Sequence, residues 1–204
     1  MQLFMVKMEQ EKPKEKILKK LLKDFTRQYT LTAIAQDIGM TRSGTWKVLK
    51  KLESEEFIVL TAIGEGKTSA YKISLNWNNP LIESTLITLL TKESLNYKRW
   101  KFNFEKLEQE LEILILFGSI LHSPKEAGDI DIMCIAKENK LGKIRDIVLD
   151  IQQTQNKKIH AVDLLYKGLK QEINNKNKAY LEALKKGIVL FGQDNFVKFI
   201  RSLQ

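Results

Sequence analysis

The chain has a single cysteine and no long apolar run, and both shortages exclude classes of protein. With Cys134 alone among 204 residues, no disulfide can form within the chain and no multi-cysteine zinc site can be built. Cys134 lies in an apolar run, where we expect a buried small hydrophobic residue. No apolar run approaches the roughly 20 residues of a membrane-spanning helix, and the start MQLFMVKMEQEKPKEK has no secretory pattern. We therefore expect a cytoplasmic protein without a membrane segment.

Internal repeats and low-complexity segments are also absent. Because the chain has only three prolines, their positions help to locate breaks between structural elements. The composition, 43% hydrophobic and 29% charged, is that of a globular protein. Pro80 follows a polar stretch, residues 76–79, and marks the clearest break. We place a first domain at residues 1–78, a helical connector at 79–105 and a second domain at 106–204.

The net charge of +9 is shared by both parts of the chain. Residues 1–78 contribute +5, from 14 Lys and Arg against 9 Asp and Glu, and the remainder contributes +4, from 20 against 16. Because both parts are basic, charge alone does not locate a binding site. It favours a polyanionic partner, nucleic acid or nucleotide, although lysines that merely solvate helical faces explain the same excess.

The first domain begins with a helical pattern and ends with two β-like runs. Pro13 fits the first turn of an opening helix. The apolar residues that recur at helical spacing behind it are Ile17, Leu18, Leu21, Leu22 and Phe25. Further along, FIVLTAI and SAYKISL flank the glycine-rich segment GEGKT, and this arrangement predicts a β-hairpin.

Between these segments the sequence has helix-turn-helix spacing. Thr30 or Thr32 is expected to cap a second helix, and Thr41 a third. Gly39 lies where the turn between them needs a residue that tolerates positive φ. The third helix should turn Trp46, Leu49 and Leu52 inward.

Three helices and a hairpin in this order resemble the winged helix-turn-helix family over about residues 13–75. The resemblance implies that the third helix enters the major groove of DNA. The residues that it implies as DNA contacts are Arg42, Ser43, Thr45 and Lys47, with Lys67 in the wing loop. Winged helices also serve as dimerisation and docking modules, so a homodimer is the alternative use of this domain.

The second domain carries a strand, a turn and an acidic strand. An apolar run, residues 113–117, predicts a strand buried on both faces that stops at Gly118 and Ser119. Gly118 lets backbone amides approach a phosphate, and Ser119 adds a hydroxyl. After nine intervening residues, Asp129 and Asp131 open another strand, where a period of two places both carboxylates on one face. Two adjacent acids repel each other unless a cation such as Mg²⁺ lies between them.

A third acid lies in a later apolar segment, KKIHAVDLLY. A charged residue in such a segment is rarely unpaired, so we expect Asp163 to face a polar cleft and to complete a metal-binding triad. His160 alternates with Val162 and is not expected to share the face of Asp163, so it is left outside the site. His122 is interpreted as a surface residue.

The apolar strand, the Gly-Ser pair, Asp-x-Asp and the later acid are similar to the polymerase-β nucleotidyltransferase superfamily, over about residues 106–195. The resemblance implies an α+β two-domain protein whose second domain is a small mixed-sheet α/β nucleotidyltransferase fold. It assigns Gly118 and Ser119 to a phosphate-binding turn, and Asp129, Asp131 and Asp163 to catalysis and to Mg²⁺ or Mn²⁺. A closing helix, AYLEALKKG, and a strand, IVLFG, are also familiar in the family.

These features together predict a transferase that moves a nucleoside monophosphate from an NTP such as ATP to an acceptor. A partner protein, for instance a toxin, is one possible acceptor. The alternative is a DNA-binding transcription regulator in which the second domain senses nucleotide or acts as an inactive scaffold. The fold cannot choose between them.

Overall fold

The computed structural model describes residues 11–64 and 70–204, in which α-helices and β-strands mix in an α+β arrangement. The strands form a two-stranded sheet in the first part of the chain and a four-stranded sheet in the later part. The expected α+β class is therefore confirmed. None of the helices in the described ranges has the length and apolar character needed to cross a lipid bilayer.

The first helix, α1, spans Pro13–Lys23 as the apolar spacing predicts. Pro13 stands in the first turn, where its missing amide hydrogen costs no helical hydrogen bond. The four apolar residues on the inward side of the helix are buried: Ile17, Leu18, Leu21 and Leu22.

The next two helices, α2 (Leu31–Ile38) and α3 (Arg42–Ser54), form the predicted helix-turn-helix spacing. Of the two candidate threonines, Thr30 caps α2. Gly39 ends α2 in the left-handed region, at φ +70°, which a residue without Cβ adopts freely. The Thr41 hydroxyl accepts a hydrogen bond from a backbone amide in the first turn of α3, at 3.2 Å.

A hairpin follows the three helices. Strand β1 (Ile58–Ile63) pairs antiparallel with strand β2 (Ala70–Leu75) along its whole length. The predicted pair of strands is therefore confirmed. The connection between them, residues 65–69 with Lys67, lies outside the described residues.

Six further helices lie in the later described range: α4 (Ile82–Leu95), α5 (Lys98–Asn103), α6 (Leu141–Gln152), α7 (Tyr166–Asn174), α8 (Lys178–Lys186) and α9 (Gln193–Arg201). The segment predicted as a helical connector contains α4 and α5. Rather than standing apart, α4 packs against α1, α9 and β6. The connector is thus part of the packed body.

The second sheet is formed by β3 (Leu111–Phe117), β4 (Asp129–Ala136), β5 (Lys158–Leu164) and β6 (Ile188–Phe191). Its strand order is β5-β4-β3-β6. β4 and β5 are parallel, whereas the other two pairs are antiparallel, so the sheet is mixed as expected. α6 supplies the crossover that joins the parallel strands.

Each face of this sheet packs into a different cluster of buried side chains. One face, here called the shared face, joins the core that α1 to α4 also enter; it presents Ile113, Ile115, Met133 and Ile135. The other face, here called the outer face, packs against α5 and α6; it presents Leu114, Leu116, Ile132 and the fully buried Cys134. Hydrophobic packing therefore continues across the predicted boundary at residue 78, and the division of the chain into domains stays a prediction.

Candidate functional site

Asp129 and Asp131 lie together at the beginning of β4, on the shared face of the sheet. The alternation of side chains along the strand places both there and turns Ile130 inward on the outer face. The pKa of Asp131 lies above its ordinary value because the carboxyl is partly buried and because the charge of Asp129 adjoins it. Oxygen atoms of the two carboxylates lie within 4.8 Å of each other, close enough for the repulsion that the sequence predicts.

Gly118 forms a cradle for one of these carboxylates. Its backbone, at φ +80° and ψ −163°, lies in a region that glycine alone adopts without strain. A Cβ at this position would lie 2.1 Å from Asp131 Oδ2, closer than any two such atoms can approach. The absence of a side chain at Gly118 therefore leaves room for the Asp131 carboxylate. The close approach of the Gly118 backbone to a phosphate stays a separate prediction.

Ser119 is exposed and begins a short 3-10 helix, Ser119–Leu121. Lys157 holds the loop between this 3-10 helix and β4. Its Nζ donates hydrogen bonds to the carbonyl oxygens of Lys125, at 3.3 Å, and of Ala127. The antiparallel register that pairs Phe117 with Asp131 holds the Gly-Ser turn and the beginning of β4 at the same end of the sheet.

His160 joins the two aspartates, contrary to its exclusion from the site on sequence grounds. The parallel pairing of β4 with β5 sets His160 beside Asp131. Its Nδ1 lies 3.1 Å from Asp129 Oδ2 and 3.6 Å from Asp131 Oδ1. His160 and Asp163 point to opposite faces of the sheet, as alternation along a strand requires, and the aspartate pair lies on the face of His160. The pairing register between β4 and β5 determines which face that is. This register cannot be read from the local sequence pattern of β5.

Asp163 is not brought to the aspartate pair, and the expected acidic triad is corrected on this point. It pairs in register with Cys134, on the outer face of the sheet. Burial, followed by the charge of Asp163, raises the pKa of the Cys134 thiol well above its ordinary value. Arg145 of α6 approaches the Asp163 carboxylate, with Nε 3.4 Å from Oδ2. Arg145 therefore supplies a positive charge close to Asp163 from α6.

The group formed by Asp129, Asp131 and His160 fits a divalent cation. One oxygen from each carboxylate and one imidazole nitrogen all lie within 4.8 Å of one another. The side chains of Asp129, Asp131 and His160 are 34%, 24% and 47% exposed, so solvent reaches all three. A cation bound there would supply charge neutralisation for phosphate oxygens.

The second predicted site lies on α3, and its role as a DNA contact stays a prediction. Arg42, Ser43 and Lys47 are exposed along one side of the helix. Thr45 is fully buried, so its assignment as a DNA contact is wrong. Lys67, as stated above, lies outside the described residues.

A groove of about 530 Å³ separates the beginning of α3 from β2. Arg42 and Ser43 line it from α3, and Tyr71 lines it from β2. Trp46, expected on the inward face of α3, is half-buried and packs on Tyr71 with ring centroids 5.5 Å apart. The aromatic pair fixes the hairpin against the helix that carries the basic side chains.

No protein-family model matches the chain, and a search of curated proteins finds no match either. Among solved structures, the chain is similar to one described as "Structure of Disulfide formed AbfR", at 22% identity and a TM-score of 0.31. That similarity takes in 46% of this chain and 66% of the other, slightly less than two thirds of its length. At this TM-score the similarity supports no argument about fold or function.

Proposed function

We propose that this chain is a metal-dependent nucleotidyltransferase with a DNA-binding amino-terminal part. The observation that carries the proposal is the meeting of Asp129 and Asp131 with the Gly118 turn on one face of a mixed sheet. Phosphoryl-type transfer needs mainly charge neutralisation and positioning, and this donor set suits both. The second part of the chain would then have the nucleotidyltransferase fold that the motif order implies.

In this proposal Asp129 and Asp131 hold the cation, Mg²⁺ or Mn²⁺, and the NTP lies against the turn. The Gly118 backbone admits phosphate oxygens closely, and the exposed Ser119 hydroxyl donates to one of them. The acceptor hydroxyl forms a bond to the α-phosphorus, the bond to the pyrophosphate oxygen breaks, and a carboxylate of the pair receives the hydroxyl proton. Asp163 takes no part, because it lies on the outer face.

We further propose that α1 to α3 and the hairpin form a winged helix-turn-helix that contacts DNA. Arg42, Ser43 and Lys47 are the exposed polar side chains of α3 available for this, and Lys67 is the proposed phosphate contact in the wing. Thr45 is withdrawn from the set.

The second candidate function is a nucleotide-sensing transcription regulator. The replacement of a third carboxylate by His160 favours it, because the shared face then holds fewer anionic ligands than the resemblance implied. Such a site can bind a metal and a nucleotide without turning the nucleotide over. The DNA-binding proposal is common to both candidates.

Turnover distinguishes the two candidates. Each of the four NTPs, labelled at the α-phosphate, is incubated with the protein and with Mg²⁺ or Mn²⁺, and pyrophosphate release and label transfer are measured. Asp150→Asn is the matched control, because Asp150 is exposed and pairs with Lys106 away from the site. Turnover that Asp129→Asn abolishes and Asp150→Asn retains supports the transferase. Binding without turnover supports the sensor, and the lack of any nucleotide binding contradicts both.

A further inference from the structure

We propose that His160 is the third protein ligand of this cation site and makes it prefer a first-row transition cation, such as Mn²⁺, Co²⁺ or Zn²⁺, to Mg²⁺. The inference rests on the proposed metal site and concerns which cation that site selects.

The geometry aims the imidazole at the place where the carboxylates converge. Its Nδ1 nitrogen lies 3.1 Å from Asp129 Oδ2 and 3.6 Å from Asp131 Oδ1. The parallel register of β4 and β5 holds the histidine there, since Asp131 and His160 are direct neighbours across the strands. The ring remains half-exposed, so a cation can enter without displacing the core.

The cradle at Gly118 is a second, separate observation at the same place. Asp131 Oδ2 occupies the space that a side chain at position 118 would fill. The Asp131 carboxylate is therefore packed against the Gly118 backbone, with Asp129 on the same face of β4. This packing limits the positions that the carboxylate can adopt, and constrained ligands favour a cation whose coordination geometry matches them.

The chemistry of the ligand set decides which cation that is. Mg²⁺ takes hard oxygen ligands and near-ideal octahedral geometry, whereas imidazole nitrogen suits transition cations. With Asp163 on the outer face, the site offers two carboxylates and a nitrogen, where a third carboxylate would have favoured Mg²⁺. His160 thus strengthens the binding of a transition cation and adds little to the binding of Mg²⁺.

A different role for His160 is that of an internal cation, in which a protonated ring neutralises the two aspartates and excludes metal. The two roles differ in what happens at Nδ1 when metal is added. They also differ in the effect of removing the ring, because loss of an internal cation would strengthen metal binding and loss of a ligand would weaken it.

Nitrogen NMR of the imidazole rings tests this directly, because the chain has only two histidines. His122 is exposed and serves as the control ring. On addition of Zn²⁺ to the full-length protein, we expect the Nδ1 resonance of His160 to shift to a metal-bound position while His122 is unchanged, and we expect Mg²⁺ to shift neither. Zn²⁺ that binds, by calorimetry, without shifting His160 Nδ1 would overturn the inference.

Calorimetric titration with Mn²⁺, Zn²⁺ and Mg²⁺ gives the second measurement. We expect His160→Ala to weaken Zn²⁺ and Mn²⁺ binding by at least about tenfold, the lower bound for losing even an outer-shell partner of a metal. The same variant should leave Mg²⁺ affinity nearly unchanged, His160→Asp should move the preference toward Mg²⁺, and His122→Ala should match the wild type. If Asp129→Asn abolishes binding but His160→Ala changes nothing, this inference fails and the proposed function stands. If no divalent cation binds the wild type, both fail.

Discussion

At the scale of single residues, Gly118 couples the backbone of a turn to the position of a carboxylate. Its positive φ disfavours any residue with a Cβ at this position, and so does its contact with Asp131. The glycine matters for the site geometry even before any phosphate is considered.

Gly118→Ala should therefore displace the Asp131 carboxylate and weaken divalent cation binding. Backbone strain at such a position costs on the order of 1–3 kcal/mol, so thermal unfolding should also occur at a lower temperature. Gly142→Ala is the control, because Gly142 lies in α6 with open space around it and should be neutral or stabilising by up to about 1 kcal/mol. Unchanged cation affinity in Gly118→Ala, measured by calorimetry, would show that the cradle does not matter.

The same scale shows what a sequence can and cannot predict about a site. Asp129 and Asp131 share a face because a period of two is local to one strand, and this was predicted correctly. The choice between His160 and Asp163 depends on how β5 pairs with β4, and α6 separates these strands along the chain. A one-residue change in register moves a side chain to the other face, so this part of the site needed the structure.

At the scale of elements, α3 presents one basic side and one buried side. Arg42 and Lys47 are exposed, whereas Thr45 is fully buried one position away from Trp46. Its hydroxyl has no hydrogen-bond partner among the described residues. The helix therefore separates exposed basic residues from residues that hold it to the core.

On the proposed function, Lys47→Ala should weaken DNA binding and reduce the slope of log affinity against log salt by about 1, as expected for one lost phosphate contact. Thr45→Val is the matched control within the same helix. It removes a buried, unpaired hydroxyl, so DNA binding should be unchanged and stability should rise by up to about 1 kcal/mol. Fluorescence anisotropy across a salt series measures the first effect. A Thr45→Val variant that loses DNA binding as Lys47→Ala does would contradict this division of α3.

A buried ion pair joins α1 to α4. Lys23 Nζ donates to Glu93 Oε2 at 2.5 Å and to the carbonyl of Gly187 at 2.8 Å, while Lys19 Nζ donates to Glu93 Oε1 at 2.8 Å. Burial lowers the pKa of Lys23. Burial also acts to raise the pKa of Glu93, but the charges of Lys23 and Lys19 outweigh it and hold this pKa below the ordinary value.

Glu93→Gln should destabilise the protein by about 3 kcal/mol at neutral pH, because Lys23 is left buried without its counter-charge. A carboxyl with a depressed pKa contributes stability that is present above the unfolded value and lost as pH falls through the folded value. The difference in the free energy of unfolding between wild type and variant should therefore shrink below pH 4.5, the ordinary glutamate pKa. Urea unfolding of both proteins at several pH values measures this difference.

Glu182→Gln is the control for this experiment, since Glu182 forms an exposed pair with Lys186 that should contribute about 0.5 kcal/mol or less. A Glu93→Gln penalty that is small, or that is constant through the acid range, would show that the ion pair does not stabilise the joint between α1 and α4.

Element boundaries were the most predictable part of the fold. Thr30, Gly39 and Thr41 mark helix ends by local chemistry, and the structure has them at those ends. The role of α4 was not predictable in the same way. Its apolar positions indicated a helix, but the surfaces of β6 and α9 that cover it come about a hundred residues later in the chain, so a connector was the expectation.

At the scale of the whole molecule, one hydrophobic cluster runs from α1 through α4 to the shared face of the sheet. A hydrogen bond from Trp77 Nε1 to Gln204 Oε1, at 2.7 Å, adds a polar link between the hairpin region and the last residues. Separation of the two parts would expose core side chains of both.

We therefore expect the chain to unfold in one cooperative transition rather than in two. Trp46 and Trp100 lie in different parts of the chain. A variant that keeps Trp46 as its single tryptophan reports on the first part by fluorescence, and a variant that keeps Trp100 as its single tryptophan reports on the second part. Coincident urea midpoints for the two reporters, and for circular dichroism, would agree with a shared core. Midpoints that differ clearly would indicate two independent domains, divided as the sequence predicts near residue 78.

The central claim is that Asp129 and Asp131 hold a cation against which a nucleotide binds. Isothermal titration with a non-hydrolysable ATP or CTP analogue, with and without Mg²⁺ or Mn²⁺, tests it most directly. We predict binding that requires the cation and that is lost in the Asp129→Asn, Asp131→Asn double variant while its fold is retained. Equal binding by the double variant, or the lack of binding by the wild type with either cation, would contradict the account.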